Sequence, residues 1–121
     1  MLARLDAVRG DAFSSADVTR LRAVYVSGSP ALQRDRRTLL TLRGSDLRAE
    51  GVHLRARSVS VVEHTSREVR LQVSDSLLSY RLVDGAGHVQ EQRPGRGVRS
   101  WTVVLRVRPD GGWGVYDVSR G

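Results

Sequence analysis

A chain of 121 residues with 40% apolar side chains is long enough to bury one core without cross-links, and short enough to be a single domain. Cysteine and asparagine are absent, which excludes a disulfide framework, a thiol nucleophile, a cysteine-based zinc site and N-glycosylation. All 20 basic residues are arginine and the formal net charge is +7; because lysine, isoleucine and asparagine are missing together, the arginines read as the codon bias of a GC-rich genome before they read as a polyanion site.

No window approaches the ~18–20 continuous apolar residues of a membrane span. The opening MLARLDAVRGDAF lacks the apolar run and small-residue cleavage site of a signal peptide. The expected localisation is that of a soluble chain, either cytoplasmic or an extracytoplasmic domain of an anchored parent.

Leu2, Leu5, Val8 and Ala12 form one apolar stripe, which predicts a helix over residues 2–13. Ser14-Ser15-Ala16-Asp17 offers N-caps for a shorter helix carrying Val18, Leu21 and Tyr25 and ending at Ser27-Gly28. Ser29-Pro30 restarts the chain as a third helix, about 31–43, because serine caps well and proline at the first position sacrifices no hydrogen bond. It buries Leu32, Leu39, Leu40 and Leu42, turns Arg34, Asp35, Arg36 and Arg37 the other way, and closes at Gly44. Residues 45–51 read as a polar connection with a helical turn at 46–49.

From Val52 the period changes from helical to extended. Val52, Leu54 and Ala56 share one parity, and Val59 and Val61 take the other after a slip at Ser58, the mark of a β-bulge. Val69, Leu71 and Val73 form the next strand, with a second slip around Asp75–Leu77 before Leu78, Tyr80 and Leu82. Asp84-Gly85-Ala86-Gly87 is a turn, residues 88–92 a short polar strand, and residues 93–97 a loop. The chain ends on a hairpin, Val98 to Val118, around which the rest is organised. Trp101, Val103, Leu105 and Val107 alternate with Thr102, Val104, Arg106 and Arg108, Pro109-Asp110-Gly111-Gly112 turns the chain, and Trp113, at one end of the core, opens the return strand.

Helices followed by strands give an α+β class: about three N-terminal helices (residues 1–50) on a strongly curved antiparallel sheet of about five to six strands (residues 51–121). Such a sheet makes a cone-shaped half-barrel whose interior is a natural ligand pocket. Tyr25, Tyr80 and Trp101 are candidates for lining it, each apolar in phase with a polar tip, although residues of this kind also serve as core.

The segments LDAVRGDAFSSAD, VYVSGSPAL and SWTVVLRVRPDGGWGVYDV resemble the first helix, the link into the closing helix and the terminal strand pair of the nuclear-transport-factor-2-like superfamily. These cone-shaped barrels include polyketide cyclases and ketosteroid isomerases. The likeness covers nearly the whole chain and is greatest to small actinobacterial members, some of which sit behind a membrane anchor. It implies a homodimer formed through the sheet, and in the catalytic branches a carboxylate inside the cone that moves a proton. Asp75 shares the parity of Val69, Leu71 and Val73 and is the candidate for that role, as general base of an isomerase, cyclase or dehydratase with Tyr80 or Tyr25 as hydrogen-bond donor. The competing reading is an aspartate tied to backbone amides in a bulge.

The histidines add no catalytic pattern: His53 shares the phase of Arg55 and Arg57, and His64 and His88 adjoin turns. No metal-ligand spacing, dinucleotide loop, P-loop or nucleophile elbow is present, so no metal or cofactor is expected. Arg93, Arg96 and Arg99 cluster beside a Gly/Pro loop and are the candidates for an anion or phosphate contact, with a solvated loop as the plainer reading; a basic surface for nucleic acid or acidic lipid stands behind both. The expected function is a non-enzymatic domain that binds a small apolar or amphipathic ligand or another protein, with the Asp75 enzyme and the basic binding surface as alternatives.

Overall fold

The computed structural model describes residues 2–121. Helix α1 spans Leu2–Ser15, a 3-10 helix spans Val18–Ala23, and α2 spans Pro30–Gly44. The capping chemistry read from the sequence forms as expected. The Ser29 hydroxyl accepts the Leu32 N–H at 3.1 Å with Pro30 in the first turn, and Asp17 accepts the Thr19 N–H at 3.0 Å. The second helix is of the tighter 3-10 kind, as suits a single short connecting piece.

Seven strands follow: β1 Leu47–Glu50, β2 Leu54–His64, β3 Glu68–Leu77, β4 Tyr80–Asp84, β5 Val89–Arg93, β6 Arg96–Val107 and β7 Trp113–Arg120. They make two antiparallel sheets, of order β1-β4-β5 and β2-β3-β6-β7. The expected helical turn at 46–49 is instead β1, because Leu47 to Glu50 pair with Arg81 to Asp84 of β4. Four residues show no period on their own, so their conformation is decided by the strand beside them. The count of five to six strands becomes seven, and one curved sheet becomes two.

Both sequence slips are real irregularities. Ala56 pairs with Asp75 and Ser58 with Ser74, leaving Arg57 as the extra residue of β2. Between β3 and β6 the register shifts across Asp75/Leu77. A further shift lies between Val61 and Glu63, where two neighbouring valines conceal the change of parity. The helices cover the concave side, α1 against β1 and α2 against β1 and β7. Tyr25, just before α2, makes a parallel bridge to Val115, with Val26 N–H to Val115 O and Val115 N–H to Val24 O both at 2.8 Å.

Leu5, Ala12 and Phe13 of α1, Leu21, Ala31 and Leu39 meet Val69, Leu71, Val73, Leu82, Val103, Leu105 and Val115 in one core. Leu21, Leu39 and Leu105 are fully enclosed, each contributing about 1.5–3 kcal/mol by burial. These side chains occupy the space between the helices and the cone wall, and the cone is not a closed barrel.

Candidate functional site

Cross-strand register arranges the concave face of the larger sheet in rows. Ala56, Asp75 and Arg99 form one; Val59, Val73, Trp101 and Arg120 the next; Val61, Leu71, Val103 and Val118 the third. Asp75 therefore lies on the face expected from its parity, and it is buried. Its Oδ1 accepts the Trp101 indole N–H at 3.0 Å and an Arg96 guanidinium N–H at 2.9 Å. A second Arg96 nitrogen donates to the Asp75 carbonyl at 3.2 Å, and the guanidinium carbon sits 5.3 Å from the Trp101 ring centroid. The register shift at Asp75/Leu77 sets Arg96 opposite Leu77, so that the guanidinium reaches back to Asp75. The carboxylate is anchored by two side chains on β6, where the sequence suggested nearby backbone amides.

The other pocket candidates stand apart from this pair. Tyr25 donates its hydroxyl to Asp35 Oδ2, and Arg9 grips the same carboxylate with Nε at 2.6 Å and Nη2 at 3.1 Å. Burial, reinforced by the Asp35 charge, raises the Tyr25 phenol well above its usual range. Burial works against the Arg9 charge, but the hydrogen bond and charge of Asp35 outweigh it and hold the guanidinium above its usual value. Tyr80 opens β4 opposite Arg93, in the smaller sheet. Sequence reasoning missed the Arg9–Asp35–Tyr25 cluster although a signal existed. Asp35 lies in step with Leu32, Leu39 and Leu42, so the one acid among the five charged residues of α2 belongs to the apolar stripe.

The three candidate anion arginines separate likewise. Arg93 pairs with Glu91 at 3.1 Å on β5, Arg96 is committed to Asp75, and Arg99 is exposed in the row of Asp75. His53 Nδ1 lies 2.8 Å from Asp6, a carboxylate distant in sequence, and His88 lies 3.7 Å from Asp84. Among the described residues no three His, Cys, Asp or Glu side chains converge as metal ligands, and no helix is long and apolar enough to cross a membrane.

Two clefts are lined by the helices and the smaller sheet. One of about 220 Å³ is bordered by Ala16, Arg43, Asp46, Arg48 and Gly85. The other, of about 270 Å³, is bordered by Arg22, Arg36 and Arg43 around Val18, Leu32 and Leu40. None of Tyr25, Asp75, Tyr80 and Trp101 borders either cleft.

The largest apolar exposure is on β2. This strand ends its sheet with one side unpaired, and Val59, Val61 and Val62 are 50%, 63% and 61% exposed. A valine left in water forgoes the ~25 cal/mol per Å² that burial would return, and an open strand edge is a template for another chain. On the convex face the same strands carry short polar side chains. Ser60, Gln72, Thr102 and Ser119 stand in one row and Ser58, Ser74 and Ser100 in the next, with Ser74 to Ser100 at 3.2 Å and Thr102 to Gln72 at 3.3 Å.

No family model matches the sequence and no curated protein matches it. Solved structures do resemble the fold. Aln2 from a Streptomyces species superposes over 98% of this chain and 87% of its own with a TM-score of 0.55 at 13% identity. A protein from Catenulispora acidiphila covers 99% of this chain and 87% of its own, with a TM-score of 0.54 at 9% identity. A putative calcium/calmodulin-dependent protein kinase II association domain from Xanthomonas campestris covers 98% and 82%, with a TM-score of 0.50 at 11% identity. At these identities the likeness concerns the fold alone, an α+β arrangement of helices against curved antiparallel sheets.

Proposed function

We propose that this chain is a non-enzymatic protein-interaction domain that engages its partner through the free edge of β2. The observation that carries the reading is the exposure of Val59, Val61 and Val62 on a long strand with one unpaired side. The filling of the cone by Leu21, Leu39, Leu105 and their neighbours supports it, since the surface then offers the larger opportunity for recognition. A photo-crosslinking amino acid at Val61 in cells of the native host should give discrete adducts, while the same group at exposed Thr38 of α2 should not. Equal labelling from both positions, or none from Val61, removes this reading.

A second reading, proton transfer by Asp75, draws on the burial of that carboxylate beside Trp101 on the concave face. A substrate would have to displace Arg96 to reach it, which predicts that planar enones or phenols alter Trp101 fluorescence. Unchanged emission across such a panel counts against it. The basic-surface alternative is supported by Arg22, Arg36 and Arg43 around one cleft and predicts affinity for polyanions that falls steeply with salt.

A further inference from the structure

We infer that the groove between the 3-10 helix and α2 is a docking site for an acidic amphipathic helix of another protein. That helix lays its leucines on Val18, Leu32 and Leu40 and its carboxylates against Arg22, Arg36 and Arg43. The inference goes beyond the β2 reading, since the two surfaces lie on different elements, and it gives the arginine-lined cleft a definite occupant.

Helical geometry builds the groove. At ~100° per residue, Leu32, Arg36, Leu40 and Arg43 fall within ~80° of one another and run ~16 Å along α2 as a single stripe of three turns. Ala31 and Leu39 carry α2 into the core, and the stripe lies beside them, toward the 3-10 helix that packs against α2. Val18 and Arg22 of the 3-10 helix repeat the combination of one apolar and one basic side chain on the facing wall. Leu40 is left 46% exposed on this stripe, and Val18 and Leu32 are half-buried. The floor of the groove is therefore apolar surface still open to water, which a partner's side chains would cover.

Charge selects the occupant. Among the described residues, the charged side chains lining the cleft are all arginine, and none of the three has a carboxylate within ion-pair distance. The nearby acids are engaged elsewhere: Asp35 holds Arg9 and Tyr25, and Asp17 caps the 3-10 helix and pairs with Arg20. Arg34, on α2 but outside the cleft, already has Asp117. A nucleic acid would use the arginines but leave Val18, Leu32 and Leu40 uncovered, and no aromatic side chain lines the cleft to stack a base. A single-headed amphiphile calls for one cation at the mouth of an enclosed pocket. Here Arg36 and Arg43 stand ~10 Å apart along the helix axis, with Arg22 on the other wall. The cleft, about 270 Å³ and open at Leu40, also falls short of the roughly 300–1,000 Å³ of an enclosed ligand site. A helix with leucines three and four residues apart and acids on both flanks matches the apolar floor and the basic walls together.

Fluorescence anisotropy with a labelled synthetic peptide of about 14 residues, leucines along one helical face and glutamates on both flanks, tests this. The wild type should bind it saturably, and a scrambled peptide of the same composition, which keeps the charge and loses the apolar face, about tenfold more weakly. Arg36→Glu and Leu40→Gln, both at exposed positions, should each weaken binding about five- to tenfold. Arg37→Glu changes the net charge as much as Arg36→Glu but lies about 100° further round α2, and should change binding less than about twofold. Arg36→Glu/Arg43→Glu should instead prefer the peptide with lysines in place of its glutamates, with circular dichroism confirming that each variant is folded. No saturable binding by the wild type, equal affinity for the scrambled peptide, or equal losses in Arg36→Glu and Arg37→Glu, each overturns the inference. Tighter binding of single-stranded DNA or of dodecyl phosphate than of the peptide, lost in Arg36→Glu, overturns it too and assigns the cleft to that anion. Cross-linking from Val61 reports on the other surface, so the β2 reading and this one can each fail alone.

Discussion

Arg9 on α1 and Asp35 on α2 meet in a two-pronged ion pair, Nε to Oδ2 at 2.6 Å and Nη2 to Oδ1 at 3.1 Å. Tyr25 completes it from the segment that bridges to β7, so three elements are tied to a single carboxylate. The pair is half-buried, and the Arg9 guanidinium lies 5.0 Å over the Phe13 ring. Replacing Asp35 with alanine leaves a cation and a phenol without their acceptor. The expected loss is about 3 kcal/mol in urea unfolding. A loss below about 1 kcal/mol, the size of an exposed pair, would show that the cluster is not structural.

The same cluster gives the chain an alkaline limit. The Tyr25 phenol is raised in the folded state, first by burial and then by the Asp35 charge, relative to its value in the unfolded chain. Its contribution to stability is therefore complete below about pH 10 and declines above it, because the unfolded state gives up its proton first. Tyr25→Phe should flatten the fall of Tm between about pH 9.5 and 11 relative to the wild type. Parallel curves for the two proteins would contradict this assignment.

Asp75 and Arg96 predict a non-additive double variant. Asp75→Ala strands a guanidinium whose side chain is only 19% exposed, with an expected cost of about 3–5 kcal/mol. Adding Arg96→Met removes the stranded charge and should recover most of that loss. If the two changes simply add in chemical denaturation, the pair is not the unit described.

Gly95 marks where the β5–β6 loop passes the end of β3. A Cβ there would collide with the Leu77 carbonyl oxygen and stand 2.9 Å from the Leu78 carbonyl carbon, both of them backbone atoms. Gly95→Ala should cost about 1–3 kcal/mol through forced displacement and should also shift the Trp101 emission, since Arg96 is the next residue. An alanine variant with unchanged stability and emission would show that the loop has another course.

At acid pH the β4–β5 turn should be an early loss. Asp84 Oδ1 accepts the His88 and Ala86 N–H groups, each at 2.9 Å, and Oδ2 accepts from Gln90 at 2.7 Å. These bonds, the one from His88 foremost, hold the carboxyl below its usual range. Its stabilisation is present above the unfolded-state value and lost as pH falls through the lower folded one. Amide exchange at His88 should therefore accelerate on acidification in the wild type, beyond the intrinsic rate, and be fast at every pH in Asp84→Asn. An unchanged protection factor in the wild type would refute this.

Much of the architecture is legible in the sequence because it depends on local chemistry. The Ser29-Pro30 start of α2, the closing hairpin of β6 and β7 and the bulges near Ser58 and Asp75 follow from capping, turn residues and side-chain parity. Parity also placed Asp75 on the concave face, since alternation is set by the pleat of the strand itself. What lies opposite a side chain is another matter. That Asp75 meets Arg96 and Trp101, that Asp35 gathers Arg9 and Tyr25, and that Leu47–Glu50 is a strand were decided by segments distant along the chain or by a register shift of one residue. The outward exposure of Val59, Val61 and Val62 was settled in the same way: their pattern is that of any half-buried strand, and only the order of strands makes β2 an edge. Periodicity and caps act over a few residues and so belong to the sequence; partners and edges arise from closure of the chain upon itself and so belong to the tertiary structure.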